Sequence, residues 1–216
     1  MRLLVTRPEP GASRTAAALQ AAGHTPVVRP LMRTEPLPWA LPAGDFDAVM
    51  LTSAAAVRHA GASADPLKRL PALCVGEACA EAARAAGFAH AEVAGVDAAA
   101  VLQRARDFGR VLHLAGVERT PVTVPPEVAL TVCEVYRARL LPLDDVPALD
   151  GALLYSQRSA RHFAAEWARL GRRQGLLLLA ISPAVAAAAG PGWPRLRVAA
   201  APNEASMLAA LADEGL

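Results

Sequence analysis

Short apolar runs alternate with alanine-rich stretches of helical period along the whole chain. Arg2 to Thr6 is one such run and predicts a buried parallel strand. Ser13 to Ala22 predicts a helix closed by Gly23, and Pro26 to Arg29 a second strand. Pro30, Pro36, Pro38 and Pro42 then mark a linker without helix. A new series opens with a strand over Phe46 to Thr52, followed by Ser53 and a helix. Strands over Ala72 to Val75, Ala91 to Ala94, Arg110 to Leu114 and Thr131 to Arg137 follow, with helices after Gly76 and over Ala98 to Phe108. The last third repeats the theme. Strands over Ala152 to Tyr155, Gly175 to Ile181 and Leu196 to Ala199 alternate with helices from Ser156 through Leu170, up to about Gly190, and over Asn203 to Asp213. Regular alternation of this kind predicts open parallel sheets covered by helices on both faces.

The middle stretch recurs in the last one. Val49-Met50-Leu51-Thr52-Ser53 aligns with Ala152-Leu153-Leu154-Tyr155-Ser156, and each continues into a helix carrying Arg-His, Arg58-His59 and Arg161-His162. Val75-Gly76-Glu77-Ala78 aligns with Ile181-Ser182-Pro183-Ala184, and the stretch from Asp97 to Leu102 with Asn203 to Leu208. The spacing between copies is nearly constant, which marks an internal duplication. The middle copy has five strands and the last copy three. The two N-terminal strands supply the missing pair. The expected organisation is therefore a discontinuous domain of residues 1–31 plus 144–216, an inserted domain of residues 38–135, and linkers at 32–37 and 136–143. Two chain crossings predict a hinge.

In open α/β sheets, ligands bind beyond the carboxyl ends of the strands. The residues at those ends are Thr6-Arg7-Pro8, Thr52-Ser53, Gly76, Gly116, Ser156-Gln157-Arg158 and Ser182-Pro183. Several are small and hydroxylic and stand directly before helices, whose N-terminal N–H groups receive anions. Ser53, Ser156 and Ser182 also have the ordinary reading of helix N-caps. Their recurrence at equivalent strand ends points to ligand sites facing one interdomain cleft. There is no GxGxxG after a strand, no Gly-x4-Gly-Lys loop and no GxSxG elbow. The five histidines lack metal-ligand spacing, and His59 and His162 read as solvated helix residues. Cys79 could be a nucleophile near a helix start, but reads more simply as a small packing residue. With no carboxylate pair at the strand ends, an enzyme of this design works by positioning.

The near-balanced net charge of +2, with no basic run, argues against a dedicated nucleic-acid binder. Lys68 is the only lysine, so nearly every cation is an arginine, the better carboxylate partner. Three cysteines without a CxxC pair predict reduced thiols and a cytoplasmic setting. The N-terminal apolar run is broken by Arg7 and Pro8 and predicts no signal peptide. Prolines and glycines interrupt the longest later apolar stretch, which predicts no membrane span.

The order of these motifs resembles the uroporphyrinogen-III synthases. Leu-Val-Thr-Arg-Pro near the N-terminus resembles the family's opening strand, and Leu51-Thr52-Ser53 with Ala56-Val57 its TSxxAV element. Val75-Gly76 with Cys79-Ala80 and Gly87-Phe88 resembles its VGxxTA…GF element. Leu112-His113-Leu114-Ala115-Gly116, Val135-Tyr136-Arg137 and Pro202 to Leu208 resemble its LxG, VYR and PxxEAxL elements. The resemblance covers nearly the whole chain.

That resemblance implies an α/β fold of two flavodoxin-like parallel-sheet domains joined by a two-stranded linker, with the middle domain inserted. It implies a cofactor-free, monomeric enzyme of tetrapyrrole biosynthesis. The substrate would be hydroxymethylbilane, an octacarboxylate, which hydroxymethylbilane synthase could hand over. The reaction loses water, inverts the last pyrrole ring through a spiro intermediate, and closes the ring to uroporphyrinogen III. Hydroxymethylbilane also closes unaided without inversion, so the enzyme must hold one geometry. Tyr136 is the resemblance's candidate for assisting hydroxyl departure; its alternative is a packed linker aromatic. Thr6, Arg7, Thr52, Ser53, Gly76, Gly116, Ser156, Gln157 and Ser182 are the expected substrate contacts, although Arg7 could equally be solvated or cap a helix. The sequence departs from the family at Cys79, Ser182, Val185 and Pro125-Pro126.

Two other readings share these features, a two-domain small-anion binding protein and a homologue without activity. Turnover of hydroxymethylbilane separates all three.

Overall fold

The computed structural model describes residues 1–144, 146–171 and 175–212. The elements run β1 (Arg2–Val5), α1 (Gly11–Ala21), β2 (Thr25–Val28), β3 (Met32–Pro36), β4 (Ala48–Leu51) and α2 (Ala54–Ala60). They continue with β5 (Pro71–Val75), α3 (Gly76–Ala85), β6 (His90–Gly95), α4 (Ala98–Arg104), β7 (Arg110–Gly116) and β8 (Ala129–Leu140). The last third holds β9 (Gly151–Leu154), α5 (Gln157–Arg169), β10 (Leu177–Ala180), α6 (Pro183–Ala188), β11 (Arg195–Val198) and α7 (Glu204–Ala212).

The strands form two sheets. One has the order β11-β10-β9-β1-β2, with parallel pairing throughout. The other has the order β3-β8-β7-β4-β5-β6, and its β8-β7-β4-β5-β6 part is parallel. β3 joins it antiparallel to β8: the Leu37 N–H donates to the Val135 carbonyl and the Leu141 N–H to the Leu31 carbonyl. The linker segment over residues 32–36 is thus a strand, and β8 is one long strand of 12 residues. Compact packing divides the chain into a unit of Thr34–Ala138 and a unit of Met1–Arg33 with Arg139–Leu216.

The duplication is visible in the strand order. Taken as copies, β4, β5, β6, β7 and β8 occupy the places of β9, β10, β11, β1 and β2. Each sheet grows outward from its first strand in one direction and then reverses. The reversal lies between β4 and β7 in one unit and between β9 and β1 in the other, and each is a topological switch point.

Both faces of each sheet are covered, so the central strands are apolar on both sides. In β4, Val49 and Leu51 join one cluster with Leu112 and Leu114, while Ala48 and Met50 join another with Val111 and Leu102. In the second unit Phe163 stacks on Trp167 at 5.5 Å and on Trp193 at 5.8 Å. Burying Phe163 completely contributes about 1.5–3 kcal/mol, before the ring stacking is added.

Local chemistry moved several boundaries. α1 starts at Gly11 rather than Ser13, because the Glu9 carboxylate caps its first turn, accepting from Ser13 N at 3.1 Å and Ser13 Oγ at 2.9 Å. The helix expected over Ala98 to Phe108 divides into α4 and a 3-10 turn at Ala105–Asp107. The last helix was expected to reach Asp213, which lies outside the described residues. His59 and His162 are not solvated helix residues. His59 Nε2 lies 2.8 Å from Thr34 Oγ1 and His162 Nε2 2.6 Å from the Leu141 carbonyl, so each copy's histidine ties its helix to a linker segment.

Candidate active site

A pocket of about 640 Å³ lies within the Thr34–Ala138 unit, at the switch point between β4 and β7. Thr52 and Ser53 at the end of β4, Gly116 at the end of β7, and His113, Arg119 and Tyr136 line it. An apolar wall is formed by Val75, Val122, Leu130 and Val132.

Tyr136 owes its place to a bulge. β7 and β8 pair regularly up to Ala115 opposite Glu134, and the register then shifts so that Gly116 faces Tyr136. The extra residue, Val135, is fully buried. A bulge re-aims the following side chain, here into the pocket. Gly116 makes the room: a Cβ there would stand 2.7 Å from Tyr136 Cζ and 2.9 Å from its hydroxyl oxygen. The half-buried ring also lies 6.0 Å from the His59 ring.

Thr52 and His113 form a second pair in the same wall. His113 Nε2 lies 3.0 Å from Thr52 Oγ1. The imidazole is only 4% exposed. Burial, helped by the nearby Arg119 charge, lowers its pKa to about 4, so it is neutral at physiological pH. Arg119 donates to the Gly116 carbonyl at 3.1 Å and to Glu134 at 2.7 Å. Ser53 caps α2, accepting from Ala55 N at 3.1 Å. Gly76 opens α3 with a φ of +66°, which only glycine adopts without strain. The pocket wall itself runs through its neighbour Val75. Cys79 is buried, and its thiol donates to the Leu51 carbonyl at 3.3 Å, as a packing residue does.

The other unit presents a different surface at its switch point. Thr6 is fully buried and its hydroxyl donates to the Leu153 carbonyl at 2.6 Å, tying β1 to β9. Its side chain has no exposed surface. Arg7 is half-buried and engaged with other side chains. Its guanidinium stacks on the Tyr155 ring at 4.3 Å from the centroid and pairs with Glu204 at 3.0 Å. The Tyr155 hydroxyl donates to the other Glu204 oxygen at 3.0 Å, and burial pushes that phenol's pKa up. Ser156 caps α5, accepting from Ser159 N at 3.1 Å, and Ser182 caps α6, accepting from Val185 N at 3.4 Å. Gln157 is exposed at the first position of α5 and accepts from Arg161 at 3.2 Å.

Four expected site residues thus line one pocket: Thr52 and Ser53 after β4, Gly116 at the end of β7 and Tyr136 within β8, while Gly76 opens α3 beside the lining residue Val75. Arg7, Ser156, Gln157 and Ser182 stand at the other unit's strand ends. Sequence reasoning gave His113, Arg119, Tyr155 and Glu204 no role. The one signal was a histidine inside the apolar run of β7. Among the described residues, no group of three His, Cys, Asp or Glu could hold a metal ion. No helix among them is long and apolar enough to cross a membrane.

Two doubly wound parallel sheets, with hydroxyls and helix starts at their strand ends, define a class: two-unit α/β proteins of flavodoxin-like design. The model of the family described as uroporphyrinogen-III synthase HemD matches residues 13–209, and the chain belongs to that family, the lyases that form uroporphyrinogen III in tetrapyrrole biosynthesis. No curated protein sequence matches the chain. Among solved structures, the uroporphyrinogen-III synthetase of Helicobacter pylori is similar at 15% identity, with a TM-score of 0.69, covering 99% of this chain and 100% of that one. A mutant uroporphyrinogen III synthase from the extremely thermophilic bacterium Thermus thermophilus is similar at 14% identity, with a TM-score of 0.58, covering 99% and 98%. At these identities the likeness concerns the fold.

Proposed function

We propose that the protein works as a hydro-lyase on hydroxymethylbilane at the pocket between β4 and β7, with Tyr136 as the catalytic residue. One observation carries this assignment: a bulge and a glycine together bring the Tyr136 phenol to a polar switch point within the pocket. The phenol donates its proton to the departing hydroxyl as the C–O bond breaks, so that it leaves as water, and the proton the substrate sheds on ring closure returns to the Tyr136 oxygen. Thr52, Ser53 and Gly116 hold the substrate there through hydroxyl and backbone N–H groups, and Gly76 adds a backbone N–H from the start of α3 beside the pocket. Arg7, Ser156, Gln157 and Ser182 contribute further carboxylate contacts from their own unit, with Arg7 leaving Glu204 for substrate. Many modest contacts of this kind fix one geometry and lower the barrier by orientation. The protein acts as a cytoplasmic monomer and takes hydroxymethylbilane from hydroxymethylbilane synthase.

The test is complementation of a bacterial strain that lacks uroporphyrinogen-III synthase. Growth should be restored by the chain, and restored more slowly by its Tyr136→Phe variant. No growth with soluble, folded protein would overturn the proposal.

A further inference from the structure

His113 is out of place for a core residue. The β7 run Arg-Val-Leu-His-Leu-Ala-Gly is apolar from Val111 to Ala115 except for this imidazole. Val111, two residues earlier on the same face, packs into an all-apolar cluster. The other copy gives an internal control. Met50 and Leu153 each stand three residues before an N-cap serine, and each pairs with a residue of the neighbouring strand. Met50 pairs with His113, whereas Leu153 pairs with Val5, which is fully buried. The same fold position therefore accepts a plain hydrophobe. A buried polar group costs stability unless it is hydrogen-bonded, and even then a hydrophobe of similar shape serves the core at least as well. The imidazole needs another reason.

Thr52 supplies it. Its hydroxyl oxygen is the ring's hydrogen-bond partner among the described residues, and both side chains line the pocket. A hydroxyl has one proton. If Thr52 donates it to the ring, only lone pairs face the pocket, and a carboxylate is repelled. If the ring donates from Nε2, the Thr52 proton is free to point into the pocket. A histidine that stays neutral can make that donation without adding a buried charge.

We propose that His113 is a positioning residue: its Nε2–H donates to Thr52 Oγ1 and turns the Thr52 hydroxyl outward as a donor to a substrate carboxylate. The inference rests on the assignment of the pocket to an anionic substrate. It adds a residue that reads the substrate only through its neighbour.

A double-mutant cycle tests it, with steady-state kinetics on hydroxymethylbilane and the ratio of isomer III to isomer I as readouts. His113→Leu should raise KM about 10-fold, the loss of one hydrogen bond to a charged group. His113→Gln, which keeps a neutral donor, should restore KM to within about 3-fold of the parent. In a Thr52→Val background His113→Leu should change KM no further, because the hydroxyl it would orient is gone. Full additivity of the two substitutions, or an unchanged KM in folded His113→Leu, overturns the inference. If His113→Leu does not fold, His113→Asn, whose shorter amide does not reach Thr52, takes its place in the cycle with the same two outcomes. A parent protein that forms no isomer III would instead count against the assigned function, so the two failures are distinguishable.

Discussion

Gly116 and Tyr136 face each other across β7 and β8 so closely that no Cβ fits between them, 2.7 Å being all that separates its ideal position from Tyr136 Cζ. The phenol cannot stay where it is if Gly116 gains a side chain. Gly116→Ala should therefore displace the ring and lower kcat/KM about 10- to 100-fold. Overpacking of this kind costs about 1–3 kcal/mol, so melting should shift only modestly. Kinetics and a thermal melt on one preparation check this. Unchanged kinetics would mean that the ring's position is irrelevant.

Tyr136→Phe removes the hydroxyl and keeps the ring. It should harm turnover more than any single serine substitution, yet leave isomer III as the product, because geometry rather than the phenol dictates ring inversion. Isomer analysis of the product checks the second half. A silent Tyr136→Phe would make Tyr136 a packing residue and show that water departs without a side-chain acid.

Ser53→Ala and Ser156→Ala each remove a helix cap as well as an expected substrate contact. Each should cost about 1 kcal/mol of stability. Each should weaken kcat/KM roughly 10-fold without abolishing it, a modest contact among many. Chemical denaturation and steady-state kinetics separate the two effects. Elimination of activity by either substitution in a folded protein would contradict distributed binding.

Stability should depend on pH through His113. Its pKa is lowered from 6.5 in the unfolded chain to about 4 in the fold. Between those values the unfolded state binds a proton that the native state does not. Stability is therefore fully present above pH 6.5 and falls as pH drops toward 4, by up to about 3 kcal/mol. His24 and His59 are lowered too, also by burial first, and act in the same direction. Denaturant unfolding across that range should show the slope. In His113→Leu the slope should be shallower, and an identical slope would refute this source.

Much of the fold was legible because strands buried on both faces write themselves as apolar runs, and Gly23 and Gly87 punctuate the helices. The counts of two, five and three assign β1 and β2 to the last third of the chain, and in the structure β1 pairs with β9 on one side and β2 on the other. The residues at the strand ends were legible for the same reason. What the pattern could not supply was contact between distant residues. Glu204 reaches Arg7 from the far end of the chain, and Thr6 spends its hydroxyl on Leu153. The bulge at Val135 leaves no trace in the β8 pattern, and it decides where Tyr136 points. His113 stood in plain view within a motif, but only its burial and its Thr52 partner distinguish it from a chance polar residue.

The most direct measurement is a coupled assay that generates hydroxymethylbilane in the presence of the purified protein and resolves the two uroporphyrinogen isomers. The account predicts isomer III as the main product, with isomer I reduced to what the slower unaided closure contributes. Isomer I alone, at the unaided rate and with folded protein present, would contradict it.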